Sequence, residues 1–191
     1  MKTRITALLT AALLAVGLIA APAAAHDGDH EETGQRGQAL GRIAPGIGAE
    51  LAAARAATAR YHDVEVAMED GYVNTMRCVA SPAGAMGIHF VNFDLVGGTL
   101  DPTQPQALLY LPGPNGQLRL VGVEYIDFSG QGALFGQGFT DAVPNPDPEI
   151  DGVIPNAALH VWLWQANPAG MFAAFNPNLS CPPVPDAEPA D

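Results

Sequence analysis

The sequence has little positive charge: Lys2 is its only lysine, and 8 basic residues stand against 20 acidic ones. Once the N-terminal leader described below is removed, 6 basic and 20 acidic residues remain, a formal charge of −14. Nucleic acids and anionic membrane surfaces are bound through clustered lysine and arginine side chains. The composition therefore argues against both partners and leaves metal cations, neutral small molecules and basic proteins.

Familiar catalytic motifs are also missing. The chain contains no Gly-x-Ser-x-Gly, no glycine-rich phosphate loop, no His-Glu-x-x-His and no Cys-x-x-Cys. These absences argue against common hydrolases, nucleotide-dependent enzymes and thioredoxin-like oxidoreductases. After the leader, no apolar stretch approaches the length of about 20 residues that a membrane-spanning helix needs.

Residues 1–25 have the features of a secretory signal peptide. Lys2 and Arg4 precede an apolar run from Ile5 to Ala20, and three alanines then supply a cleavage site. We predict cleavage before His26, which gives a secreted or periplasmic protein without a membrane anchor. The remaining chain of about 166 residues has the size of one domain.

The two cysteines, Cys78 and Cys181, favour a disulfide, because an exported protein meets an oxidising compartment. Neither cysteine has a second Cys or His at the spacing of a zinc motif, which disfavours the alternative of two metal-binding thiolates. The chain-entropy model gives a stabilisation of roughly 4–5 kcal/mol for closing a loop of about 100 residues.

The composition divides the chain into a flexible acidic tail (26–47), a single domain (48–181) and a disordered C-terminal tail (182–191). Within the domain, Glu50–Asp70 has the pattern of one amphipathic helix, and Gly71 is placed to end it. The predicted buried stripe of this helix consists of Leu51, Ala54, Thr58, Tyr61, Val64 and Met68.

The sequence after Gly71 has the pattern of strands and turns. The predicted strands are Tyr72–Cys78, Met86–Val96, Gln106–Leu111, Leu118–Phe128 and Ala157–Gln165. Pro112–Gly116 resembles a hairpin connection, Ser129–Asn156 a long loop or lid, and Pro168–Phe175 a short helical turn. This order predicts an α+β fold in which one N-terminal amphipathic helix packs on an antiparallel sheet of about five strands. The alternative is a small β-barrel or sandwich with an outer helix.

Three polar residues lie inside strongly apolar predicted strands: His89, Glu124 and His160. By the period of two, each lies on a face built otherwise from apolar residues, which is costly unless the polar group is paired. A divalent cation bound by all three would satisfy them together, as in Zn²⁺ and non-haem Fe²⁺ sites with open positions. Zinc, iron and copper are the candidate metals.

A metal-free interpretation stays open. Glu124 would then pair with Arg77, with Arg119 or with one imidazole in a structural core network, and the domain would be a binding or interaction module. Around either site, the predicted ligand pocket contains Asn92, Tyr125, Trp162 and Trp164. By default, the tryptophans would pack in the core and the asparagine would cap the backbone.

The predicted mature N-terminus carries a second set of possible metal ligands. His26 and His30 lie there together with a free α-amine and several acidic residues. This combination could bind Cu²⁺ or Zn²⁺, although acidic tips that contain histidine are often only solvated chain ends.

Several runs together resemble a family of exported bacterial proteins of unknown function. The runs are Met86–Asn92 (MGIHFVN), Val121–Tyr125 (VGVEY) and Leu159–Trp164 (LHVWLW), the last followed by Asn167-Pro168. The resemblance covers roughly residues 50–181. It implies export and a shared fold, and it implies no reaction.

Overall fold

The structure is a computed structural model in which residues 45–145 and 152–182 are described. The predicted signal peptide, the tail residues His26 and His30, and residues 183–191 lie outside these ranges and stay predictions. In chain order the elements are α1 (Pro45–Thr58), a 3₁₀ turn (Ala59–His62), α2 (Val64–Glu69), β1 (Val73–Ser81), β2 (Gly84–Val91), β3 (Ala107–Pro112), β4 (Leu118–Ile126), β5 (Ala133–Leu134), β6 (Gln137–Gly138), β7 (Asp141–Pro144) and β8 (Val153–Val161).

The helical region is interrupted, so the prediction of one continuous helix over Glu50–Asp70 is wrong. α1 begins earlier, at Pro45, whose fixed φ and missing N–H suit the first position of a helix. The 3₁₀ turn then separates α1 from α2. Asp63 starts α2 as its N-cap, with its Oδ1 accepting a hydrogen bond from the backbone N–H of Glu65 at 3.0 Å.

The interruption changes which side chains of the helical region are buried. Leu51, Ala54 and Thr58 of α1 are buried as predicted. In α2, however, Ala67 is buried and Met68 is 49% exposed. A 3₁₀ turn has 3.0 residues per turn instead of 3.6, so it shifts the phase of the buried stripe by the time α2 begins.

Gly71 ends the helical region, as predicted. Its φ of +93° is one that residues with a side chain rarely adopt. Its N–H donates to the carbonyl of Met68 at 3.1 Å, and the N–H of Tyr72 donates to the carbonyl of Ala67 at 3.0 Å. This pair of bonds is a Schellman motif, and it directs the chain into β1.

Six antiparallel strands form one curled sheet in the order β1-β2-β3-β4-β8-β7. The mixed α and β class is confirmed, and the strand number exceeds the predicted value of about five. The sheet is a half-barrel, with β1 and β7 as its edges in the described residues, and differs from the closed barrel of the alternative. β5 and β6 form a separate two-stranded ribbon.

The region Ser129–Asn156, predicted as a loop, contains β5, β6, β7 and the beginning of β8. β7 pairs with β8 through Asp141 opposite Ala158 and Val143 opposite Ile154. The prediction of a long loop is therefore wrong where these strands form, while residues 146–151 lie outside the described part of the chain.

A β-bulge in β4 changes which residues share a face. Leu109 of β3 pairs with Gly122, and the adjacent Tyr110 pairs with Leu120, which leaves Val121 as the extra residue. Leu120 therefore packs in the helix-facing core and Val121 in the opposite core. The predicted alignment of Glu124 with Leu120 is wrong for this reason.

The central strands β3 and β4 are buried on both faces of the sheet. The face that packs against the helices holds the larger core, which includes Phe90, Leu108, Tyr110, Val123, Tyr125, Leu159 and Val161. The opposite face carries a second core of Leu109, Leu111, Val121 and Trp162, against which Cys78 and Leu179 pack. The segment that follows β8 thus covers part of the second face.

This segment, residues 162–181, is called the C-terminal strap. Asn176 and Ala85 exchange two backbone hydrogen bonds of 3.0 and 3.2 Å. The disulfide between Cys78 and Cys181 then joins the end of the strap to β1, as predicted, so neither cysteine is a thiolate ligand. The predicted helical turn is wrong, because the segment forms two successive tight turns.

A disulfide between distant segments is typical of exported proteins. Among the residues that the structure describes, no helix is both long enough and apolar enough to cross a membrane.

Candidate metal centre

The structure brings together the three polar residues that the sequence singled out. His89 lies on β2, Glu124 on β4 and His160 on β8, and each alternates with residues of the helix-facing core. All three therefore point to the opposite face of the sheet. One ligand atom from each lies within 4.8 Å of the other two, which is the separation of atoms around a single metal ion.

The strand register explains this convergence. Glu124 and His160 are direct partners across β4 and β8. Ala107 of the intervening β3 is the partner of Glu124 on its other side, while His89 pairs with the next residue on that face, Leu109. Because Ala107 carries only a methyl group, the longer side chains of His89 and Glu124 meet above β3.

Glu124 bridges the two imidazoles unequally. Its Oε2 lies 3.2 Å from Nε2 of His89, at the long end of hydrogen-bond distances. Its Oε1 lies 3.8 Å from Nε2 of His160, too far for a hydrogen bond. Within the described part of the chain, Nε2 of His160 is buried without a hydrogen-bond partner. Such orphaned atoms are rare in protein interiors, and this one points into the centre.

A fourth residue, Asp141, belongs to the cluster and was missed by the sequence analysis. Its Oδ2 lies 2.5 Å from Nδ1 of His160, and it reaches the ring from β7, the strand next to β8. The one signal in the sequence is that Asp141 and Val143 are two residues apart, as on one face of a strand, in a short stretch that lies between a phenylalanine and a proline. That stretch is too short to identify a strand.

The cluster is shielded from water. The exposed fractions of its side chains are 14% for His89, 4% for Glu124, 1% for His160 and 10% for Asp141. Charges placed in such surroundings interact more strongly than at the surface, because little solvent screens them.

Neighbouring charged groups reverse the effect of burial on the pKa of Glu124 and on the pKa of His160. Burial raises the pKa of Glu124, but the adjacent His160 and His89 outweigh it, and the pKa lies below its usual value. Burial lowers the pKa of His160, but Glu124 and Asp141 outweigh it, and the pKa lies above its usual value. Without a metal, the cluster therefore favours a glutamate anion beside a protonated His160.

Two predicted pocket residues are not part of this cluster. Tyr125 follows Glu124 and faces the helix-covered core, where its hydroxyl donates to the carbonyl of Pro102 at 2.6 Å. The Asn92 side chain donates to the carbonyl of Asp70 at 3.0 Å and accepts from the N–H of Asp94 at 3.1 Å. It caps the end of β2, which was its default role.

The two tryptophans lie on different faces. Trp162 belongs to the same face as the cluster, and its Nε1 donates to the carbonyl of Ala173. Trp164 packs on the helix side, with its ring 4.4 Å from that of His62 and 4.7 Å from the guanidinium of Arg55. β8 ends at Val161, so the period of two that placed both tryptophans beside His160 no longer applies.

The arginines predicted as alternative partners of Glu124 do not pair with it. Arg119 donates to Oε1 of Gln165 at 2.8 Å, and Arg77 lies on an exposed part of β1. Of the partners predicted for Glu124, which were two arginines or an imidazole, the structure shows an imidazole, that of His89.

Comparisons of the chain with protein-family models, with curated proteins and with solved structures gave no match. The resemblance to a family of exported bacterial proteins therefore stays a prediction. The functional argument depends on the geometry and chemistry of the His89, Glu124 and His160 cluster.

Proposed function

We propose that the protein binds a divalent transition metal ion through His89, Glu124 and His160. The observation that carries the proposal is the buried Nε2 of His160, which lacks a hydrogen-bond partner among the described residues and lies 3.8 Å from Oε1 of Glu124, in a group whose ligand atoms lie within 4.8 Å of one another. A metal ion at that point would satisfy all three groups. Two imidazoles and one carboxylate favour Zn²⁺, Fe²⁺ or Cu²⁺ over Mg²⁺ or Ca²⁺, which prefer oxygen ligands.

Three protein ligands leave at least one coordination position for water or for a small ligand. His89 has the most exposed side chain of the three, at 14%, which supports access from the side of β2. A small ligand, or a substrate of a metal-assisted reaction, would bind there. We expect the protein to do so after export, in a secreted or periplasmic setting, because its disulfide suits an oxidising compartment.

A second candidate function is a metal-free network that only holds the sheet together. The observation in its favour is that His89 already pairs with Glu124, and His160 with Asp141. These contacts join β2, β4, β8 and β7, and such a cluster would leave the domain as a binding or interaction module.

Metal analysis of the purified full chain distinguishes the two functions. After dialysis against Zn²⁺, Fe²⁺ or Cu²⁺, we expect one tightly bound ion per chain in the wild type and none in the His89→Ala/His160→Ala double variant. His62→Ala is the matched control, because this exposed imidazole packs on Trp164 at the other face of the sheet. A His26→Ala/His30→Ala variant should retain the bound ion, which separates the domain from the N-terminal tail.

A different set of results would support the metal-free network. A wild type that retains none of the three ions, together with single alanine variants that lose only about 1–3 kcal/mol of unfolding free energy, supports the structural network instead.

A further inference from the structure

We infer that Asp141 is a positioning residue of this centre, which orients His160 toward the ion and sets the charge that the ion must balance. The inference rests on the proposed function and deepens it, since it names the residue that prepares the site and the charge class of its ion. It is carried by the contact between Asp141 and Nδ1 of His160, on the ring atom opposite the orphaned Nε2.

The contact selects one tautomer of His160. An ionised carboxylate only accepts hydrogen bonds, so Nδ1 of the ring must carry the proton that Asp141 accepts. In the neutral imidazole this leaves the lone pair on Nε2, the atom nearest to Glu124. A carboxylate on the far nitrogen is how metal-binding histidines are commonly oriented and made more basic.

The position of Asp141 also restricts the ring. β7 pairs with β8 through Asp141 opposite Ala158, two residues from His160 on the same face. The carboxylate is therefore fixed by the sheet itself, and the ring it holds is 1% exposed. Because the pairing of β7 with β8 brings the carboxylate to the ring, the contact orients His160 before any ion binds.

The charges of the cluster indicate the class of ion. Glu124 and Asp141 supply two negative charges, while His89 and His160 are neutral when they bind a metal. A divalent ion brings the sum to zero, whereas a monovalent or trivalent ion leaves a net charge in surroundings that are at most 14% exposed. A net buried charge is strongly disfavoured, so the four residues together favour divalent ions.

Two substitutions separate the two roles of Asp141. Asp141→Asn removes the charge and keeps an oxygen that can accept from Nδ1, while Asp141→Ala removes both. We expect Asp141→Ala to weaken Zn²⁺ binding about 10- to 100-fold, as loss of such an outer partner commonly does, and Asp141→Asn to weaken it less. Asp141→Glu should recover part of the affinity. Asp94→Asn is the control, because it makes the same charge change at an exposed position.

Nitrogen-15 NMR of the zinc-loaded protein reports which nitrogen of the His160 ring carries the proton. We expect Nδ1 of His160 to carry a protected proton in the wild type and in Asp141→Asn, and this signal to be lost or shifted in Asp141→Ala. Competition between Zn²⁺ and Ag⁺ tests the charge: the preference for Zn²⁺ should fall in Asp141→Asn. Near-ultraviolet circular dichroism verifies that each variant is folded, and Asp141→Asn keeps the shape of the side chain should Asp141→Ala unfold.

The outcomes separate this inference from the proposed function. A wild type that binds Zn²⁺, with Asp141→Ala and Asp141→Asn that bind it equally well and keep the Nδ1 proton and the Zn²⁺ preference, overturns the role of Asp141 alone. A wild type that binds no Zn²⁺ overturns both.

Discussion

At the scale of single residues, Glu124 and His160 show how two buried groups can keep each other charged. Burial disfavours the charged form of each, with side-chain exposures of 4% and 1%. The attraction between them, helped by His89 and Asp141, outweighs that cost in the metal-free protein. A metal ion at Nε2 would replace the proton there, so ion and proton compete for the same atom.

These opposing shifts give the metal-free protein a defined pH dependence. The pKa of Glu124 is lowered from 4.5, so its stabilising effect is present above about pH 4.5 and is lost as the pH falls through the lowered value. The pKa of His160 is raised from 6.5, so its effect is present below about pH 6.5 and is lost as the pH rises through the raised value.

We therefore expect the two effects to coincide between about pH 4.5 and about pH 6.5. The measurement is urea unfolding with a chelator, for wild type and His160→Gln across pH 3.5 to 9. The difference in unfolding free energy between the two proteins should be greatest inside that window and shrink on either side. A difference that stays constant with pH would contradict the assigned shifts.

The side chains of the cluster could be predicted only where a regular pattern continued. The alternation of strand residues placed His89, Glu124 and His160 each on a strand face that is otherwise apolar. The cost of burying unpaired polar groups then suggested that the three side chains meet. The same alternation puts Tyr125 on the other face of the sheet from Glu124, so the assignment of Tyr125 to the pocket was inconsistent with this pattern. Trp164 lies beyond the end of β8, where the alternation stops.

At the scale of elements, the contact between the β1–β2 hairpin and the C-terminal strap depends on a glycine. A Cβ at Gly84 would lie 2.1 Å from the carbonyl oxygen of Asn176, far inside van der Waals contact. Gly84 also has a φ of +123°. The strap can therefore form its two hydrogen bonds to Ala85 only because the neighbouring residue has no side chain.

We expect Gly84→Ala to destabilise the protein more than Gly170→Ala does, by about 2 kcal/mol or more, because overpacking adds to the backbone strain. Gly170 is a close control: its φ is +124°, and a Cβ there would meet nothing within 4 Å. Urea unfolding of both variants at one pH gives the comparison. Equal losses would mean that the strap moves away from Gly84 at little cost.

The elements that were mispredicted differ in how much local signal the sequence carries for them. The break at Asp63 and the start at Pro45 had local signals, since both are favoured residues at helix N-termini. β7 had almost none: it is a four-residue edge strand that depends on its pairing with β8. The β4 bulge has one local signal, Gly122 beside the extra residue, since a glycine inside a strand often marks a bulge, but its register is set by the pairing with β3.

At the scale of the whole molecule, the sheet presents two different faces. The helices cover one face with a large apolar core, and the other face combines a smaller core with the His89, Glu124 and His160 cluster and part of the strap. The α+β class followed from composition and order of elements. The closure of the second face could not be predicted, because the strap is held by individual contacts such as those of Asn176 and not by a repeating pattern.

The disulfide is the one covalent link between the strap and β1, and it spans a sequence separation of 103 residues. Since the three residues of the proposed metal centre lie on β2, β4 and β8, the disulfide should stabilise the fold without forming the centre. We expect Cys78→Ala/Cys181→Ala to lower the unfolding free energy by about 4–5 kcal/mol and, where the variant stays folded, to bind Zn²⁺ with unchanged stoichiometry. Urea unfolding and zinc titration at 15 °C measure the two effects, and wild type reduced with a phosphine, which lacks the zinc-binding thiolates of dithiothreitol, is the matched control. Loss of zinc from a folded, reduced protein would instead make the strap a required part of the centre.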